Sequence, residues 1–178
     1  MRLIAITNPD FYDGEAAFIK RLFESGFDIV HLRKPNSDID NCRNILNELS
    51  SEERSRIVVH DYPELYYEFL LKGIHINKNI VKYPEGYQGF KTRSCHSLEE
   101  VMLYKDDFDY VFLSPIFDSI SKQGYKSAFT QDELRRASEE GIIDEKVVAL
   151  GGVTYDRISL LKDLGFGGAA MMGGAFIS

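Results

Sequence analysis

Residues 146–172 read KVVALGGVTYDRISLLKDLGFGGAAMM, and the fold is decided by how this stretch is parsed. Val147 to Leu150 is a short apolar run that ends in Gly151-Gly152. Apolar residues then recur at helical spacing from Tyr155 to Leu164, and Gly165 stops them. Gly168 to Met172 is a second apolar run. Short runs that stay apolar without alternation are expected of parallel strands covered on both faces. A helix between two of them is the crossover that a parallel pair requires.

The unit recurs throughout the chain. Leu3 to Thr7 reads as a strand, and Glu15 to Glu24 as a helix with Ala16, Phe18, Ile19, Leu22 and Phe23 at helical spacing before Gly26. Ile29 to Lys34, Ile57 to Asp61 and Ile74 to Ile76 read as the next strands, with helices over Ile39 to Leu49 and over Glu64 to Leu71, the latter stopped by Gly73. Asn77 to Gly89 turns polar and carries Pro84, Gly86 and Gly89, so a fourth helix is short or absent. Lys91 to Cys95 is the fifth strand, Ser97 and Glu100 are spaced as a capping box, and Tyr110 to Ser114 is the sixth strand. A polar loop from Asp118 to Thr130 leads to a helix over Asp132 to Glu140.

Eight strands mostly separated by helices predict an α/β fold, a single (β/α)8 TIM-barrel domain over residues 1–178. A miscount at the fourth and fifth strands would instead give an open flavodoxin-type sheet. The sequence stops at Ser178, soon after the eighth strand, whereas about 250 residues are typical of this barrel. The last helix is therefore expected to be very short or absent.

The composition, 44% hydrophobic and 28% charged, is that of a domain able to bury a core. A net charge of -7 excludes a general nucleic-acid footprint, which needs clustered Lys and Arg. Cys42 and Cys95 match no metal or redox spacing and suit a reducing, cytoplasmic setting. No run approaches the eighteen or so apolar residues of a membrane span, and the N-terminus lacks the apolar core of a signal peptide.

In a parallel barrel the carboxyl ends of the strands carry the active site. That rule selects His31, Arg33 and Lys34 after the second strand, His60 and Asp61 after the third, Ser94 and His96 at the fifth, and Ser119, Ser121 and Lys122 after the sixth. Arg33 and Lys34 suit an anionic group, Arg as a planar fork and Lys as a point charge, although either can be a rim cation paired with a carboxylate. Asp61 can bind Mg²⁺ or cap a helix. His96, directly after a strand, suits general acid–base work near neutral pH, while His75, inside an apolar run, reads as a hydrogen-bonded core histidine. Gly151, Gly152 and Gly173 fall where such barrels often bind phosphate through backbone N–H groups, and tight turns also explain glycine pairs.

The ordered set HLRKP (31–35), VVHDYPEL (58–65), GIHI (73–76), SCHSLEE (94–100), DYVFLSPIF-x-S-x-SK (109–122), VALGGV (148–153) and GGAAMMGGAF (167–176) resembles the thiamine phosphate synthase/TenI family over essentially the whole chain. The resemblance implies thiamine biosynthesis on a small phosphorylated substrate. One branch, the synthase, joins hydroxymethylpyrimidine diphosphate to thiazole phosphate, releases pyrophosphate and uses Mg²⁺. The TenI branch is a thiazole tautomerase that moves a proton and needs no metal.

Against the synthase pattern, His31 stands for Gln, Pro35 for Lys, and His60-Asp61 for Asn-Asp. Ile80 falls near the second metal ligand, with only Asn79 beside it as an oxygen donor. Ser119, Ser121 and Lys122 match the Thr-x-Thr-Lys loop with serines for threonines. The TenI branch is similar at His31-Leu32-Arg33 and at Arg93-Ser94-Cys95-His96-Ser97, where its catalytic histidine falls on His96. The resemblance therefore favours the tautomerase, which implies His96 moving the proton, Arg33 holding an anionic part of the substrate, and no cofactor. The synthase, with Asp61 on Mg²⁺, is the alternative, and a non-catalytic thiazole or thiamine phosphate-binding regulator a third. No nucleic acid or membrane partner is expected, and an uncovered barrel flank admits a homodimer.

Overall fold

The computed structural model describes residues 1–78, 80–118 and 127–172. The described strands are β1 (Arg2–Ile6), β2 (Ile29–Leu32), β3 (Ile57–Val59), β4 (Gly73–Ile76), β5 (Phe90–Cys95), β6 (Tyr110–Leu113), β7 (Val147–Ala149) and β8 (Gly168–Met172). They follow one another in the sheet in chain order, which is the order of a (β/α)8 barrel. The described chain forms two compact units, one over Ile4–Lys91 and one built from Met1–Leu3 with the described part of Thr92–Ser178.

In the first unit β1, β2, β3 and β4 pair in parallel, with Ile4 opposite Ile29, Val30 opposite Ile57 and Val58 opposite Gly73. Ile4, Val30, Ile57 and Val58 are fully buried, as runs without alternation require. Helix α1 (Glu15–Glu24) turns Ala16, Ile19, Leu22 and Phe23 inward, and α2 (Ile39–Glu48) does the same with Cys42, Ile45 and Leu46. Gly26 ends α1 at φ 95, with Phe27 N–H returning to the Leu22 carbonyl at 3.1 Å, so the glycine stop is placed as expected.

Two local expectations change. Helix α4 (Glu64–Phe69) stops at Leu70, which takes a left-handed φ of 52, and not at Gly73. Gly73 instead opens β4, where an added Cβ would lie 2.4 Å from the Phe90 carbonyl oxygen. A short helix α3 (Ser51–Arg54) also stands between α2 and β3, with Ser50 and Glu53 forming a full capping box. Between β4 and β5 no helix forms among the described residues.

In the second unit β5 to β8 also pair in parallel, with Ser94 opposite Phe112 and Leu113 opposite Ala149. The helices are α5 (Leu98–Tyr104), α6 (Gln131–Glu139) and α7 (Ile158–Asp163), the last preceded by a 3₁₀ turn over Tyr155–Arg157. Ser97 caps α5 by accepting from Glu100 N–H, but the Glu100 carboxylate takes the His96 N–H, one residue before the box position. The question of a last helix falls on residues outside those described. No described helix is long and apolar enough to cross a membrane.

Candidate functional site

Three strands of the first unit bring three imidazoles together. His31 lies on β2, His60 directly follows β3 and His75 lies on β4, and all three are buried. His31 Nδ1 is 2.7 Å from His60 Nε2. The His60 and His75 rings stack with centroids 4.1 Å apart at 12°, while the His31 ring stands nearly across both. Burial pushes His31 and His60 well below the ordinary imidazole range, and the neighbouring His75 lowers both further. Both are therefore neutral at pH 7. One nitrogen of the His31–His60 contact carries the proton and the other accepts it.

Lys34 does not face a ligand. It is 1% exposed, and its ammonium donates to Glu15 Oε1 at 2.5 Å and to the Asn8 and Asp10 carbonyls at 2.9 Å each. All three N–H donors are thereby spent, which removes the phosphate-binding part expected of it. Sequence reading missed Glu15 as the partner because it opens a helix, where an acidic residue is ordinary.

Arg33, one residue earlier, is the opposite case. It is half-buried, its backbone is fixed by Thr7 through N–H to Oγ1 at 3.0 Å, and its guanidinium has no hydrogen-bond or ion-pair partner among the described residues. A half-buried guanidinium in that state keeps its donors available for an anion.

Asp61 is not a helix cap, since α4 is preceded by Pro63 with no side-chain cap bond. Its Oδ2 accepts the Lys34 backbone N–H at 3.1 Å. Mg²⁺ prefers an octahedron of oxygens, commonly one or two carboxylates completed by waters and substrate phosphates. Among the described residues the one group of three or more candidate ligands is all imidazole and leaves Asp61 out, so Asp61 would offer Mg²⁺ a single carboxylate to be completed by waters and substrate oxygens. Asn79 lies outside the described residues. The loops carrying Arg33 and Asp61 are tied together by the Tyr62 hydroxyl, which donates to the Ser37 carbonyl. Asn36 and Tyr62 both hold positive φ there, a conformation uncommon for residues other than glycine.

In the second unit His96 is exposed, and its Nδ1 lies 3.1 Å from the Ser114 carbonyl oxygen and 3.3 Å from the Ser114 hydroxyl. A carbonyl can only accept, so in the neutral ring Nδ1 carries the proton and Nε2 is left with a lone pair. Ser94 lies on β5, half-buried. Gly151 (φ 94) and Gly152 (φ 62) follow β7, and their N–H groups donate to nothing among the described residues. Successive backbone N–H groups of this kind favour an anion. Packing demands the glycines as well, because a Cβ on Gly152 would fall 2.3 Å from the Asp118 carbonyl oxygen and one on Gly151 2.9 Å from Pro115 Cα. Ser119, Ser121, Lys122 and Gly173 lie outside the described residues.

A cleft of about 280 Å³ in the first unit is lined by Tyr12, Gly14, Glu15, Asn41 and Glu48 among others, and by none of the residues that the sequence selects. The chemistry-bearing side chains sit elsewhere, so the cleft's size does not identify the site.

A family model described as thiamine monophosphate synthase matches residues 3–175. The chain is 43% identical to a thiamine phosphate pyrophosphorylase from Bacteroides thetaiotaomicron whose crystal structure is solved, with 97% of this chain and 83% of that one covered and a TM-score of 0.89. It is 29% identical to the thiamine-phosphate synthase of Limosilactobacillus reuteri over 68% of this chain, a match that spans 59% of that protein's length. It is 24% identical to the thiamine-phosphate synthase of Salinibacter ruber over 90% of this chain and 74% of that protein.

Proposed function

The chain belongs to the thiamine monophosphate synthase family, and we propose that it joins a hydroxymethylpyrimidine diphosphate to a thiazole phosphate with release of pyrophosphate. The observation that carries this reading is the 43% identity to the Bacteroides pyrophosphorylase over 97% of the chain. Both substrates and the leaving group are anionic, so the site needs donors that are preorganised and not already spent. Among the described residues the Arg33 guanidinium and, taken separately, the Gly151 and Gly152 N–H groups are donors of that kind. Mg²⁺ supplied with the diphosphate would neutralise leaving-group charge; the part of this chain is to hold and orient the anions. Cys42 and Cys95 are free and buried, which suits the cytoplasmic setting we assign.

One observation favours a second reading, a thiazole tautomerase without metal. The His96–Ser114 contact leaves Nε2 able to take and return a proton, as a tautomerase requires. An assay of the purified chain with both condensation substrates, with and without Mg²⁺, decides between them. Thiamine phosphate formed only with the metal supports the synthase. No product, followed by turnover of the carboxylated thiazole phosphate, replaces it with the tautomerase, and binding without either turnover replaces both with a regulator.

A further inference from the structure

The three buried histidines of the first unit are more than the proposed reaction uses. We propose that His31, His60 and His75 bind one divalent transition-metal ion of the zinc class, with no carboxylate among the ligands. Their candidate ligand nitrogens all lie within 4.8 Å of one another, on β2, on β4 and directly after β3, three adjacent strands that fix the backbone positions. Imidazole suits zinc, copper, nickel and iron, whereas magnesium requires oxygen.

The metal-free geometry shows what must move. Two nitrogens on one tetrahedral Zn²⁺, each about 2.05 Å from the ion, stand about 3.3 Å apart. His31 Nδ1 and His60 Nε2 must therefore open from 2.7 Å, giving up their hydrogen bond as the shared proton moves to a ring nitrogen facing away. The His60–His75 stack must splay as well, because parallel rings cannot both aim in-plane lone pairs at one ion. These are side-chain rotations on a fixed sheet. Three imidazoles leave a fourth position for water or an anionic oxygen, as in open zinc sites.

The test uses the full chain stripped with chelator and titrated with Zn²⁺, then with Co²⁺ as a spectroscopic probe. We expect one equivalent to bind, visible Co²⁺ absorption of low-coordinate nitrogen ligation, a rise in melting temperature, and no competition from millimolar Mg²⁺. His75→Asn and His60→Asn, each checked for folding by circular dichroism, should weaken binding at least 100-fold, while His96→Ala should leave it intact. Binding equally tight in a folded His60→Asn or His75→Asn variant, or its loss in His96→Ala, overturns the proposal. Wild-type protein that neither takes up Zn²⁺ nor gains thermal stability from it overturns the proposal without any variant. None of these readouts depends on which reaction the chain catalyses.

Discussion

The two compact units treat the polar groups at their strand ends in opposite ways. In Ile4–Lys91 they are largely spent on one another: Lys34 on Glu15 and two carbonyls, His31 on His60, Asp61 on the Lys34 N–H. In the unit that carries β5 to β8, His96 is exposed with one nitrogen unspent, and the glycine N–H groups after β7 donate to nothing among the described residues. The difference follows from burial. In a low-dielectric interior a polar group must find a protein partner, whereas a group near water can keep its capacity for a ligand. Arg33 is the instructive exception in the first unit, half-buried with its guanidinium unpaired among the described residues, and for that reason its best candidate for touching an anion.

The largest effect that sharpens the comparison is expected at the buried ion pair. Lys34→Ala leaves the Glu15 carboxylate buried without its cation and should cost about 3–5 kcal/mol of stability, read as a shift in urea midpoint. A Lys34→Met, Glu15→Leu double variant should recover much of that loss, because two apolar side chains leave no orphaned charge. A loss below about 1 kcal/mol in the single variant would break the claim that this unit's polar groups serve its own stability.

The opposite signature is expected in the other unit. His96→Ala should leave stability within about 0.5 kcal/mol. If the tautomerase reading holds, the same variant should cut turnover by about 10²-fold, measured with carboxylated thiazole phosphate. Under the synthase reading, Arg33→Ala should weaken binding of the anionic substrates by about 10-fold or more, as expected for lost hydrogen bonds to a charged group, with the unfolding midpoint unchanged. Calorimetric titration of each substrate checks this.

The pH response divides the units as well. His31 and His60 are held below their ordinary value of 6.5 in the folded state, so the unfolded chain binds protons that the folded chain refuses. Their contribution is complete above pH 6.5 and is lost as the pH falls from there toward the folded values, by up to about 1.4 kcal/mol per pH unit for each. Urea midpoints of metal-free protein between pH 7.5 and 5 should show that slope, flattened in a His31→Asn, His60→Asn variant. Equal slopes would mean that the imidazoles are not the groups refusing protons. A loss smaller than that of the ion pair is expected at the helix cap, where Ser97→Ala should cost about 1 kcal/mol.

The sequence alone determined the element order and the barrel class, because parallel strands buried on both faces leave uninterrupted apolar runs and the helices between them leave a 3.6-residue period. It placed α1 at its observed ends and β8 at its observed span, since capping glycines and apolar edges are local signals. It also marked the strand ends as the place for His96, Arg33 and Asp61.

Only the tertiary structure decided what each of these residues touches. Lys34 and Arg33 are neighbours in the chain, yet one is fully spent and the other has an unpaired guanidinium among the described residues, because successive residues at a strand end point to different sides. His75 read as a hydrogen-bonded core histidine, and only the pairing of β2 with β3 and of β3 with β4 set it against His31 and His60. The periodicity of a strand fixes which side a residue takes, but its neighbours there come from strands tens of residues away.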